Sequence, residues 1–403
     1  MMSKYILYLC SARCFRAGQH KPKIAGIINC WQRLGYEVNN VCGGDLYISC
    51  ASSTSGEGEY EFYQKWYRRT PFMSPFVQSC SEHRDIQHDR LMLDKLVSII
   101  NQQRPDIIWE RSGRLSSAGL TVAKRFGIPY VLEWIDNLIP YSISWYHRKA
   151  VNLERRKNQE ADYIVVVSEK LKDDLAQEGV SRDKILVAYN AVDPQEFRNN
   201  LAARQEYRAE LGIGTNEVLI GYLGSYAFYH DMIRLVLAAD ILKYHKELSI
   251  KILMVGTGKQ YEETRRLAER QNLLNTMIIM KPWVPKEMVP RILSALDVAV
   301  LPGCTDIMCP IKVQEYMASE LATIVPDYPG TREIITEGQT GIFFEPKNEE
   351  SLAAKLLLLA KDNRLRSVLG RNAREEVLHR FTWEQTWGKA ITEVMRRINS
   401  KAR

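Results

Sequence analysis

Short apolar runs, each followed by a loop and then a longer amphipathic stretch, recur along most of this chain. In the first half Tyr5–Cys10, Glu37–Cys42, Asp106–Trp109, Tyr130–Trp134, Tyr163–Val167 and Ile185–Ala188 read as strands. Helical patterns separate them at Ile24–Leu34, Leu91–Gln102, the stretch ending at Phe126, Arg148–Glu160 and Glu169–Glu178. Buried strands alternating with helices predict a mostly parallel sheet covered on both faces. A turn-rich connector at Tyr189–Pro194 and a charged stretch at Gln195–Leu211 interrupt the pattern, which then restarts. Val218–Leu223, Ile250–Val255, Thr276–Met280 and Asp297–Leu301 form the second set, with shorter strands near Thr323–Val325 and Gly341–Phe344. The expected fold is therefore α/β, with two tandem Rossmann-like domains over residues 1–192 and 193–382. A C-terminal helix at about 383–403 returns to the first. Trp383 and Trp387, four residues apart, read as one packed stripe of core. Residues 43–90 follow neither period.

Composition narrows the picture modestly. At 403 residues, 45% hydrophobic and 26% charged, the chain has apolar material for two cores. A net charge of +7 spread among acidic residues argues against nucleic acid and allows an anionic substrate or a membrane surface. Six of the eight cysteines fall within the first 80 residues, without a C-x-x-C pair or a zinc spacing, so reduced thiols and no metal are expected. No apolar run is long enough to span a membrane.

The candidate chemistry concentrates in one stretch after the strand Asp297–Leu301. Pro302-Gly303 makes a turn, and Pro310 is placed to open a helix, where its missing N–H has no partner to lose. The amides of Ile311, Lys312 and Val313 then point outward together, and the Lys312 ammonium joins them to make an anion site. Glu315, three residues on, lies on the same side of that helix. The same local pattern also fits an ordinary amphipathic helix with a solvated Lys–Glu pair. Elsewhere, the loop after the first strand carries Gly18, Gln19 and His20 among basic residues, at the functional end of the expected sheet. Gly256-Thr257-Gly258 holds two glycines of a dinucleotide fingerprint, but Tyr261 stands at the third position.

Six segments in order resemble a retaining glycosyltransferase of the family-four type. They are Asp162–Glu169, Asn190–Asp193, Val255–Gly258, Trp283–Pro285, Asp297–Pro302 and Pro310–Ala318, and the last is similar to the family's Glu-x7-Glu region. The resemblance implies the GT-B architecture, with two domains facing across a cleft. It also implies transfer of a sugar, with retention, from a nucleotide-diphosphate sugar to an acceptor hydroxyl. On that reading Lys312, Glu315 and Asp306 are catalytic. Gly224, Ser225, His230, Gly256, Trp283, Val284, Pro310, Ile311 and Val313 bind the donor. Gly18, Gln19, His20, Glu110 and Arg111 face the acceptor or a phosphate. The chain departs from the family where the first glutamate would fall, at Ile307, with Asp306 beside it. It departs again at Trp109-Glu110-Arg111, where many relatives carry a histidine.

The resemblance implies a nucleotide sugar as co-substrate and no separate cofactor. It implies a saccharide, lipid-linked or small-molecule acceptor, and a place in cell-surface polysaccharide or glycoconjugate synthesis. A cytoplasmic protein is expected, with residues 13–23 and 60–72 as a candidate contact with the inner face of the membrane. A sugar-nucleotide epimerase or hydrolase, or a degenerate binding protein on the same scaffold, remains an open alternative.

Overall fold

The computed structural model describes residues 4–13, 15–16, 22–46, 74–134, 144–306 and 309–401. They form two compact units, Met1–Ala188 with Trp387–Arg403 and Tyr189–Thr386. In the first unit β1 (Tyr5–Cys10), β2 (Glu37–Cys42), β3 (Ile107–Arg111), β4 (Tyr130–Glu133), β5 (Tyr163–Val166) and β6 (Ile185–Val187) make one sheet in the order β2-β1-β3-β4-β5-β6. In the second, β7 (Val218–Leu223), β8 (Ile250–Val255), β9 (Ile278–Lys281), β10 (Val298–Val300), β11 (Ala322–Pro326) and β12 (Ile342–Phe344) are ordered β12-β11-β10-β7-β8-β9. All of these strand pairs are parallel. The strand order reverses at β1/β3 in one sheet and at β7/β10 in the other. Loops leaving the carboxyl ends of such neighbouring strands part to opposite faces and open a crevice, where ligands of this fold class bind.

Tryptophan organises one face of the first sheet. The rings of Trp31 and Trp109 meet edge to face at 4.7 Å, and Trp387 adds a third ring 6.3 Å from Trp109. All three are fully buried. The Trp31 indole N–H donates to the Trp387 carbonyl at 3.1 Å, which fixes the C-terminal segment to this sheet. The Lys23 amine lies 4.6 Å above the Trp387 ring. The packed stripe expected around Trp383 and Trp387 is indeed buried.

Two of the differences from the sequence reading bring polar groups into the packed structure. The helix expected at Leu91–Gln102 begins at Ser74. Its early turns are anchored by buried and half-buried polar groups, which carry no apolar period. Glu82 accepts from the Arg114 guanidinium at 2.8 Å, and His88 Nε2 sits 2.6 Å from the Gly43 carbonyl. Asp89 accepts the amides of Ser117 and Ala118, at 2.9 and 3.0 Å. The third strand, expected to end at Trp109, runs on to Arg111 and carries Glu110 into the sheet. Among the described residues no helix is long and apolar enough to cross a membrane.

Emptying the Trp387 site leaves a large cavity beneath β1 and β3. Trp387→Ala should destabilise the first unit by about 3–5 kcal/mol. Hydrogen exchange checks this: amides of β1 and β3 should lose protection while those of β7 and β8 keep theirs.

Candidate functional site

The candidate site grows from the ends of β7 and β10. After β7 the chain passes through Gly224 and Ser225 and closes in a short 3-10 turn at Phe228–His230. After β10 it runs through Gly303 and Cys304 toward the helix Ile311–Ala318. Pro310 is the residue before that helix, with φ −72° and ψ 115°, and not its first helical residue as the sequence implied. Its extended backbone turns its own carbonyl toward the helix, and the Val313 amide donates to that carbonyl at 3.0 Å. Val313 therefore contributes no free amide, contrary to expectation. Ile311 and Lys312 retain amides without an intrahelical partner.

Lys312 is the centre of the arrangement. Its amine donates to the Tyr222 hydroxyl at 3.0 Å and lies 3.0 Å from His230 Nε2. Tyr222 in turn donates to the Ser225 carbonyl at 2.7 Å. His230 Nδ1 sits 3.3 Å from the Gly303 carbonyl. A carbonyl only accepts, so Nδ1 bears the proton and Nε2 is left as the acceptor for Lys312. Glycine is required beside this network. A β-carbon on Gly224, whose φ is 154°, would lie 2.5 Å from the Lys312 amine, and one on Gly256 would lie 1.8 Å from the Gly224 carbonyl oxygen.

Burial sets the charges. It pushes the Lys312 amine down to about 7, with the Glu315 carboxylate and Cys304 opposing the shift. It pushes the Glu315 carboxyl up to about 7, opposed by Lys312 and Lys286. His230 is driven down to about 3 by burial first and by the Lys312 charge second, so it is neutral in the physiological range. Burial also raises the Cys304 thiol to about 12, which keeps it protonated. In each case loss of water disfavours the charged form. A dianion entering this site would find an amine ready to regain its proton and helix amides directed at it.

The other residues singled out from sequence are distributed as follows. Ser225 is exposed, and its carbonyl serves Tyr222. His230, expected among the donor-binding residues, is not at the surface. It is buried behind Lys312, because the loops after β7 and β10 close on it from both sides. Trp283 is 57% exposed after β9, with Val284 half-buried beside it. Asp306 is exposed, and its carbonyl accepts the Gly330 amide at 3.0 Å. Ile307 and the loop bearing Gly18, Gln19 and His20 lie outside the described residues, as do residues 60–72. Tyr222 was missed, because an aromatic residue inside an apolar strand carries no mark that its hydroxyl projects past the strand end.

In the first unit Glu110 cannot meet an acceptor. It is wholly buried in β3 and accepts from the Ser11 and Tyr130 hydroxyls at 3.1 and 2.6 Å. Arg111, at the end of the same strand, is largely buried and donates to Glu133 at 2.6 Å. Glu133 also accepts from Tyr8 at 2.8 Å and lies 3.5 Å from the Lys23 amine. Arg111 and Lys23 thus share one carboxylate, Glu133, at the β1/β3 switch point. Among the described residues no group of three His, Cys, Asp or Glu side chains is placed to hold a metal ion.

Comparison with known proteins identifies the family and the fold. Residues 21–191 match the model of a glycosyl transferase 4-like domain, and residues 203–376 match that of the glycosyl transferases group 1. An uncharacterized glycosyltransferase of Methanocaldococcus jannaschii is 23% identical over 299 residues, 72% of this chain and 75% of that protein. Sulfoquinovosyl transferase of Arabidopsis thaliana is 25% identical over 325 residues, 78% of this chain but only 60% of its own length. The structure of Anabaena HepE in complex with UDP superposes with a TM-score of 0.70 at 16% identity, covering 98% of this chain and all 100% of that one. The last likeness shows the fold alone: α/β, of the GT-B type.

The Lys312 amine should titrate near neutrality, against about 10.4 for a lysine in water. The 13Cε resonance of labelled lysine, assigned by its loss in Lys312→Arg, measures this. A midpoint above 9 would refute the burial argument.

Proposed function

The chain belongs to the group 1 glycosyltransferases, and from that premise we propose that it moves a sugar, with retention, from a nucleotide-diphosphate sugar to an acceptor hydroxyl. One observation carries the reading. Lys312 is fixed at the β7/β10 switch point with the first-turn amides of its helix beside it and Glu315 one turn behind. Negative charge grows on the departing diphosphate as the sugar gains oxocarbenium character. A lysine already held in place, which takes up its proton as the dianion binds, and aligned amides stabilise that charge with little reorganisation. Loss of one such contact typically raises the barrier by about 3–4 kcal/mol.

In this reading Lys312 and the amides of Ile311 and Lys312 hold the diphosphate, and the Glu315 carboxylate accepts from ribose hydroxyls. Gly224 and Gly256 keep the floor of the site low enough for the phosphates to approach the backbone. Trp283 and Val284 border the base, and Asp306 is assigned to the sugar hydroxyls. No separate cofactor or metal is invoked, since lysine and the helix supply the positive charge. Arg111 and Lys23, sharing Glu133, favour an acceptor with anionic character. Saccharide, lipid-linked and small-molecule acceptors all satisfy that chemistry. A role in cell-surface polysaccharide or glycoconjugate synthesis, on the cytoplasmic side of a membrane, accords with it.

A uridine nucleotide is the first donor to test, since UDP occupies the structurally similar Anabaena protein. Thermal stabilisation by UDP, GDP, ADP, CMP and dTDP should single out one diphosphate. At about 100 times its dissociation constant that ligand stabilises by about 2.7 kcal/mol, and Lys312→Ala should lose the effect. No stabilisation by any of them would sink the proposal.

The same ligand should bind with proton uptake. Free Lys312 is largely neutral above pH 7, and a bound dianion draws its proton back, so affinity falls as pH rises through about 7. Glu315→Gln removes a charge that raises the Lys312 pKa, so the fall should move to lower pH. Calorimetry in buffers of different ionisation enthalpy measures both effects. Equal heats in all buffers at pH 8 would count against a titrating Lys312.

A further inference from the structure

We infer that His230 and Tyr222 are positioning residues for Lys312, two acceptors that fix its amine so that its remaining N–H bond is aimed at the donor diphosphate. The inference rests on the donor-site reading above and adds how the cation is aimed. A lysine ammonium has three N–H donors on a flexible four-carbon stem. Tyr222 and His230 each take one, at 3.0 Å. With two directions of a tetrahedral nitrogen occupied, the third is set.

Each acceptor is itself held from behind. Tyr222 has given its only proton to the Ser225 carbonyl, so its oxygen faces Lys312 with lone pairs. His230 has given its only proton to the Gly303 carbonyl, so Nε2 does the same. Its ring also packs edge to face on Tyr229, 4.5 Å between centroids. Glycine at 303 lets the two loops close on it, since a β-carbon there would lie 2.8 Å from the Tyr229 carbonyl oxygen and from the Asp231 β-carbon. The groups facing Lys312 are then Tyr222 from β7, His230 from the turn after it, Cys304 from the loop after β10, and Glu315 from its own helix. Cys304 is a protonated thiol and His230 a neutral ring. The amine thus meets both its acceptors on the side of β7, and its third N–H direction is turned away from them. Misplacing such a group by about 1 Å can lower a rate about a hundredfold.

The test uses the full chain with Tyr222→Phe, His230→Leu and the conservative His230→Gln, whose amide oxygen can stand in for Nε2. The first readout needs no ligand. Tyr222→Phe and His230→Leu each remove an acceptor from the ammonium form, so the Lys312 13Cε titration should move to lower pH, and His230→Gln should restore it. The second readout is UDP affinity. It should fall about tenfold in Tyr222→Phe and in His230→Leu, and neither change should matter once Lys312 is alanine. A titration unmoved in both Tyr222→Phe and His230→Leu would overturn the inference. So would affinity losses that persist at full size in the Lys312→Ala background. If the titration moves but Lys312→Ala binds UDP like the parent, the donor-site reading fails and the two acceptors of Lys312 stand.

Discussion

The candidate site depends on keeping one primary amine out of water. Taken alone, burial would strip Lys312 of its charge. The surrounding groups answer that with different strengths of opposition. Tyr222 and His230 offer lone pairs, Glu315 offers a carboxylate that has itself lost water, and Cys304 stays protonated. None is strong enough to lock the amine in its charged form. The result is a cation whose charge is conditional on what lies in front of it. A permanently exposed lysine would bind phosphate from solution without discrimination, and a fully ion-paired one would have its charge already spent.

Backbone geometry makes that arrangement possible. Tyr222, Gly224 and His230 come from one side of the β7/β10 reversal, and Gly303, Cys304 and Lys312 from the other. A side chain on Gly224 would occupy the space of the Lys312 amine, and one on Gly256 would push the Gly224 peptide away. The first sheet uses the corresponding place differently. There Glu133 collects Tyr8, Arg111 and Lys23, while Glu110 is sealed between Ser11 and Tyr130. One reversal presents an amine held by two acceptors, and the other a carboxylate already surrounded.

Much of this was legible in the sequence. Strands β1, β2, β7 and β8 were read to the residue, and in β1, β7 and β8 the reason is a nearly continuous apolar run bounded by turns, which has few other interpretations. Lys312 and Glu315 were legible through helical spacing, and the tandem Rossmann pattern through its restart after Pro194. What escaped depended on polar groups buried by tertiary structure. The early turns of the helix Ser74–Gln102 rest on the buried Glu82 and His88 and the half-buried Asp89, which no apolar period signals. Glu110 looked like a loop carboxylate until β3 ran through it. His230 looked like a phosphate ligand, since nothing local says that Gly303 will cover it. Tyr222 looked like core, and most of it is.

The tryptophan cluster of the first sheet has a consequence for how the protein is made. Trp31 donates its indole proton to a carbonyl 356 positions further along the chain. During synthesis, strands β1 to β6 emerge and can pair long before Trp387 exists. The whole of Tyr189–Thr386 must be translated before the third ring arrives. Until then the apolar faces of Trp31 and Trp109 lack the partner that covers them. The first unit to begin leaving the ribosome is thus the last to be completed.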